Sequence, residues 1–146
     1  MKLLALLLAL SAPVGPERLA DGLMQRYDPG VMDDTVAYRI KRGQLPAGTD
    51  AYMAVAVVDC GLLGYEVWIK WPTGLWTGPH PVADCSAAED AQRHKDKGLA
   101  VEVSYEFAVD WSVPIGTRFR VPLDGILRGV EVYRGSPFSA LGREPN

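Results

Sequence analysis

Soft metal ligands are scarce in this chain: it has two cysteines and two histidines in 146 residues. Cys60 and Cys85 stand far apart, as do His80 and His94, and no metal-ligand spacing joins them. No metal site and no cofactor are therefore expected, and the two histidines read as structural or surface residues. No Gly-x-Ser-x-Gly elbow is present, so nothing supports a serine nucleophile. Positive charge is short as well, with 15 Lys and Arg against 18 Asp and Glu, a formal net charge of -3. Arg93, His94, Lys95 and Lys97 are interleaved with acids rather than clustered, which argues against nucleic acid as a partner. The apolar run near the N-terminus falls far below the ~20 residues of a membrane span, so no stable span is expected. No internal repeat of useful length appears beyond two strand ends that both read Asp-Cys.

What is present is ordinary for one globular domain: 48% apolar and 23% charged residues. Fifteen glycines and eleven prolines imply many turns and short elements, which favours a mainly β fold. Residues 1–15 place a single Lys2 before a leucine-rich run ended by Ser11, Ala12 and Pro13, the layout of a short secretory signal peptide. An ordinary core helix is the alternative. On the export reading the mature protein is secreted, periplasmic or extracellular, and Cys60 and Cys85 most simply form one disulfide. Two buried free thiols are the corresponding alternative inside a cell.

Taken in order, residues 16–27 read as a short helix, with Pro16 in its first turn and Leu19, Leu23 and Tyr27 four apart on one face. Residues 16–50 are thus an N-terminal helix and linker, with 36–40 as a candidate strand. Residues 53–59 are apolar on both faces and predict a covered central strand. From 65 to 71 the pattern alternates, Tyr65, Val67, Ile69 and Trp71 against Glu66, Trp68 and Lys70, so Trp68 falls on the polar face. A short strand is expected from His80 to Cys85. Ser86-Ala87-Ala88-Glu89 fits a capping box opening a helix that Gly98 stops. Strand 99–104 follows, then a helix over 105–111 with Ser104 as its cap and Phe107, Ala108 and Trp111 available for packing. Strands are expected at 117–121 and 130–134, and a loose polar tail over 135–146.

Val58-Asp59-Cys60 and Ala83-Asp84-Cys85 bracket a segment holding three of the four tryptophans. Carboxylates at the ends of apolar strands are costly to bury unless hydrogen-bonded or given a chemical task. Further on, Val101-Glu102-Val103-Ser104-Tyr105-Glu106-Phe107-Ala108 follows a strand with a serine and a helix bearing alanine. This order resembles the six-stranded double-psi β-barrels, in particular the rare lipoprotein A-like and expansin-like domains and the three-aspartate domain of lytic transglycosylases. The resemblance covers residues 51–134. Glu102 stands where that pattern has an aspartate, Ser104 at its serine, Asp84 at the acid ending the preceding strand, and Asp59 at the first acid of the three-aspartate version.

The resemblance implies an exported, cell-wall-directed barrel acting on peptidoglycan or another polysaccharide. Cleavage in such proteins uses a carboxylic acid to protonate the glycosidic oxygen. Here Glu102 is the expected general acid/base, Asp84 its partner and Asp59 the third member of a cluster whose mutual repulsion raises one carboxyl. Trp68 and Trp76 are the candidate sugar platforms, because flat apolar sugar faces stack on exposed rings; Trp71 and Trp111 read as core. Each acid has a plainer alternative, accepting backbone N–H groups of a turn. Two other functions stay open for the same fold: a non-catalytic module binding glycan or a protein partner, and a structural or assembly protein.

Overall fold

The computed structural model describes residues 15–112 and 126–136. Its elements run β1 (Glu17–Arg26), α1 (Val31–Lys41), β2 (Val55–Val57), a short 3-10 helix (Cys60–Leu62), β3 (Glu66–Lys70), β4 (Trp76–Cys85), α2 (Ala88–Asp96), β5 (Leu99–Val103), α3 (Tyr105–Ser112) and β6 (Ile126–Arg134). The six strands close into one barrel in the order β1-β5-β2-β4-β3-β6. The β1/β5 and β2/β4 pairs are parallel, and the other four are antiparallel.

Alternation explains the core. Val55 and Val57, Val67 and Ile69, Val101 and Val103, and Val130 and Val132 are each two residues apart and all point into the barrel. Each such side chain contributes roughly 1.5–3 kcal/mol on leaving water. Trp71 and Phe107 fill out this core with ring centroids 6.1 Å apart. The α3 helix starts as expected from its cap: Ser104 Oγ accepts the Phe107 N–H at 3.1 Å and donates to the Tyr52 carbonyl at 2.9 Å. A second cluster, Met32, Val36, Leu45, Ala54 and Ala83, seats α1 against β2 and β4 on the outside of the barrel. Glu106 of α3 accepts the Gly30 N–H at 3.0 Å, which anchors the start of α1 to α3.

Three local expectations are corrected. Residues 17–26 are strand β1 rather than a helix, so the barrel begins at Glu17 and not near residue 51. The four-residue spacing of Leu19 and Leu23 arises because β1 slips register on either side of Leu23, so Leu19, Ala20 and Met24 pack with the barrel core while Leu23 is buried outside that cluster. Residues 36–40 are helical within α1, because Met32 and Val36 are buried one turn apart. The capping box does not form: the Ser86 hydroxyl bonds His94 Nδ1 at 2.6 Å, and Ala87 takes the cap position of α2 without a side-chain bond. Gly98 still ends that helix, with φ of 77°. The leader, strand 117–121 and the tail beyond Ser136 lie outside the described residues.

Cys60 and Cys85 are bonded, with Cα atoms 5.0 Å apart and a sequence separation of 25. The bond joins the segment after β2 to the end of its parallel neighbour β4. Closing a loop of that length contributes roughly 3 kcal/mol in the chain-entropy account.

Candidate functional sites on the barrel exterior

Strand register lines up two of the three acids. Asp84 on β4 and Glu102 on β5 both pair with Ala56 on β2, so the three form one row across the sheet. Val55, Val57, Val101 and Val103 belong to the core, and alternation therefore turns Ala56 and Glu102 outward. The backbones of Asp84 and Glu102 are two strand spacings apart, about 10 Å. Their charges nonetheless feel each other: burial raises the Glu102 carboxyl above its ordinary value, Lys97 opposes this, and Asp84 adds to it.

Asp84 is held by two donors. Tyr27 OH donates to Oδ2 at 2.7 Å and Arg39 Nη2 to Oδ1 at 2.8 Å, while Arg39 Nη1 binds Gln44 Oε1 at 2.9 Å. Burial, then the Asp84 hydrogen bond, pushes the Tyr27 phenol far above its ordinary pKa, so it remains a donor. Asp84 is thus ion-paired with Arg39 in the same row as Glu102. Tyr27 and Arg39 were not identified from the sequence, because α1, which carries Arg39, was not recognised there. The surviving signal was the Asp33, Asp34 and Arg39, Lys41 placement at opposite ends of a helix.

Asp59 does not join this pair. Its Oδ1 accepts the Gly61 N–H at 2.8 Å and caps the 3-10 helix, the plainer role open to a strand-end acid. It lines a cavity at the barrel end, whereas Asp84 borders a separate shallow depression beside α1. The disulfide thus brings the neighbouring cysteines together while the two carboxylates face different surroundings.

The tryptophans lie on another face. Trp68 on β3 is directly opposite Tyr133 on β6, and Lys70 on β3 pairs with both Trp76 on β4 and Glu131 on β6. The Trp76 and Tyr133 rings meet across β3 with centroids 4.7 Å apart. A Cβ placed on Gly78 would overlap Cδ2, Cε3 and Cγ of Trp68, so the indole lies with its face along the β4 backbone. All three rings are partly exposed. Charges rim them: Glu131 accepts from Arg18 and from Tyr133 OH, each at 3.2 Å, and Lys70 Nζ lies 3.9 Å from Glu131 and 5.9 Å from the Trp76 ring centre. Tyr133 was not singled out from the sequence, although the alternation Val130-Glu131-Val132-Tyr133 puts it on the polar face.

Inside the barrel, Trp71, Thr77 and His80 form a hydrogen-bonded chain. His80 Nδ1 is 2.8 Å from the Met53 carbonyl, which can only accept, so Nδ1 carries the proton and Nε2 is an acceptor. Thr77 must then donate to Nε2 at 2.8 Å and accept the Trp71 indole N–H at 2.9 Å. Burial lowers the His80 pKa to about 4, which keeps the ring neutral. This histidine is structural. No family model, no curated protein and no solved structure matches the chain.

Proposed function

We propose that the protein is a glycan-binding module of the double-psi β-barrel type, exported and directed at peptidoglycan or a related cell-wall polysaccharide. The closed six-stranded barrel with two parallel pairs supports the fold reading. The observation that carries the function is the Trp68, Trp76 and Tyr133 surface: three partly exposed aromatic residues on neighbouring strands with a rim of Arg18, Lys70 and Glu131. Ring faces take the apolar face of a pyranose, and rim groups exchange hydrogen bonds with its hydroxyls. Asp84 stands at the opposite end of β4 from Trp76, in the part that pairs with β2, and Glu102 is on β5, so the acids lie away from these rings, which favours binding over cleavage.

The test is co-sedimentation with purified peptidoglycan and with insoluble polysaccharides. Trp68→Ala is expected to weaken binding by about thirtyfold, the scale of a buried aromatic anchor. Undiminished binding by that variant would remove the platform from the account.

A second reading is favoured by one observation, the raised Glu102 carboxyl beside an ion-paired Asp84. A proton held by Glu102 at higher pH is what a general acid toward a glycosidic oxygen requires, and a lytic mechanism then needs no activated water because a sugar hydroxyl closes the ring. On this reading the protein releases anhydro-muropeptides from peptidoglycan and Glu102→Gln abolishes the release. Equal release by Glu102→Gln would end that assignment.

A further inference from the structure

The barrel end that carries the disulfide is open. A cavity of about 670 Å³ lies there between β1, β5, β6, α2 and the 3-10 helix, within the size range of small-molecule sites. It is separate from the aromatic face and from the Asp84 and Glu102 row. Its floor is barrel core, formed by Val57, Leu62, Ala100 and Val132. The space exists because of what α2 brings to it: the helix has no buried residue and offers only the small side chains Ala88 and Ala91 to the apolar wall.

Polar groups at this cavity are few. Asp59 Oδ1 accepts the Gly61 N–H, and the Ser86 hydroxyl is bonded to His94. Lys95 on α2 and Arg134 on β6 approach from different walls, and among the described residues neither forms an ion pair. Glu17 is opposite Arg134 in register but is not bonded to it, and the guanidinium instead lies 5.4 Å from the centre of the Tyr65 ring. A protein of net negative charge thus carries, among its described residues, two cations outside any ion pair at the mouth of an apolar hole.

We propose that this cavity binds a free amphipathic carboxylate, with a single unbranched apolar chain entering the barrel end and its carboxylate set between Lys95 and Arg134. The chain covers Val57, Leu62, Ala100 and Val132, and the two cations answer the one charge that an apolar chain cannot bury alone.

Decanoate, below its micellar concentration, is the probe, titrated calorimetrically into the full chain. Saturable one-to-one binding is expected, weakening about fourfold for each methylene removed from the probe. A Lys95→Ala, Arg134→Ala double variant is expected to lose at least about tenfold in decanoate affinity while binding decanol as before. Amide shifts on titration should centre on Ala91, Ala100 and Val132, a measurement that needs no cavity-filling variant to fold. Absence of saturable binding, shifts centred on Trp68 and Tyr133, or equal decanoate affinity in the double variant would each overturn the assignment. Sedimentation with anionic phospholipid vesicles without decanoate binding would also overturn it, in favour of a membrane surface.

Discussion

Thr77→Val is expected to lower the unfolding free energy by about 4 kcal/mol at pH 7, although valine matches threonine in shape. The loss comes from chemistry. The Thr77 hydroxyl is the middle of the buried chain from Trp71 to His80, accepting at 2.9 Å and donating at 2.8 Å. Its removal strips the Trp71 indole of its Thr77 acceptor and the His80 Nε2 of its donor, at roughly 1–3 kcal/mol for each buried group. Thr77→Ser keeps the hydroxyl and should cost only about 1 kcal/mol for the lost methyl. Urea unfolding followed by tryptophan fluorescence separates the two variants. A Thr77→Val midpoint equal to that of Thr77→Ser would mean that the hydrogen-bonded chain contributes nothing.

The same network sets an acid dependence. His80 is neutral in the fold down to about pH 4, whereas in the unfolded chain it titrates near the ordinary histidine value of 6.5. Above pH 6.5 both states leave it uncharged and its contribution is fully present. As pH falls from 6.5 to 4 the unfolded chain takes up a proton that the native state refuses, and stability falls by up to about 3 kcal/mol before levelling off. Glu102 acts in the opposite sense: its raised carboxyl binds a proton more readily in the fold, so acidification through its titration favours the native state.

Gly22→Ala is the other variant expected to have a large effect, at least about 4 kcal/mol. Gly22 has φ of 139°, and a Cβ there would overlap the Gly98 carbonyl oxygen. That oxygen is backbone and already accepts the Leu23 N–H at 2.9 Å, so it has little freedom to withdraw. Gly43 is a fitting control, since it also has positive φ, 73°, but a Cβ there meets nothing within 4 Å. Gly43→Ala should cost only the roughly 1–2 kcal/mol of a left-handed backbone. If thermal melts place the two variants within a few degrees of each other, close approach at Gly22 is not what holds the strand crossing.

The parts of the fold visible in the sequence are those in which local pattern and tertiary environment agree. Tyr65 to Trp71 alternates because one face of β3 meets the core, and Ser104 caps α3 through its own side chain. Strand β1 was hidden because a register slip beside Gly22 converts a period of two into apparent steps of four. Helix α1 was hidden because only Met32 and Val36 are buried among its polar residues, so its helicity is fixed by Ala54 and Ala83 beneath it. Among the acids, the Asp84 and Glu102 row follows from strands that the sequence did reveal. Asp59 looked equivalent by motif, yet the Gly61 N–H two residues on claims its carboxylate. Local chemistry at a turn outweighed the symmetry of two Asp-Cys strand ends.

The seam of the barrel joins residues 17–25 to residues 126–134, with Glu17 opposite Arg134. A growing chain therefore carries two open strand edges, on β1 and β3, until β6 has been made, and every earlier intermediate is an unclosed sheet. Contacts this distant in sequence slow folding, because loop entropy must be lost before they form. The ribosome-bound protein should thus be sensitive to protease along β1 and β3, with protection arriving in one late step when β6 emerges to join them.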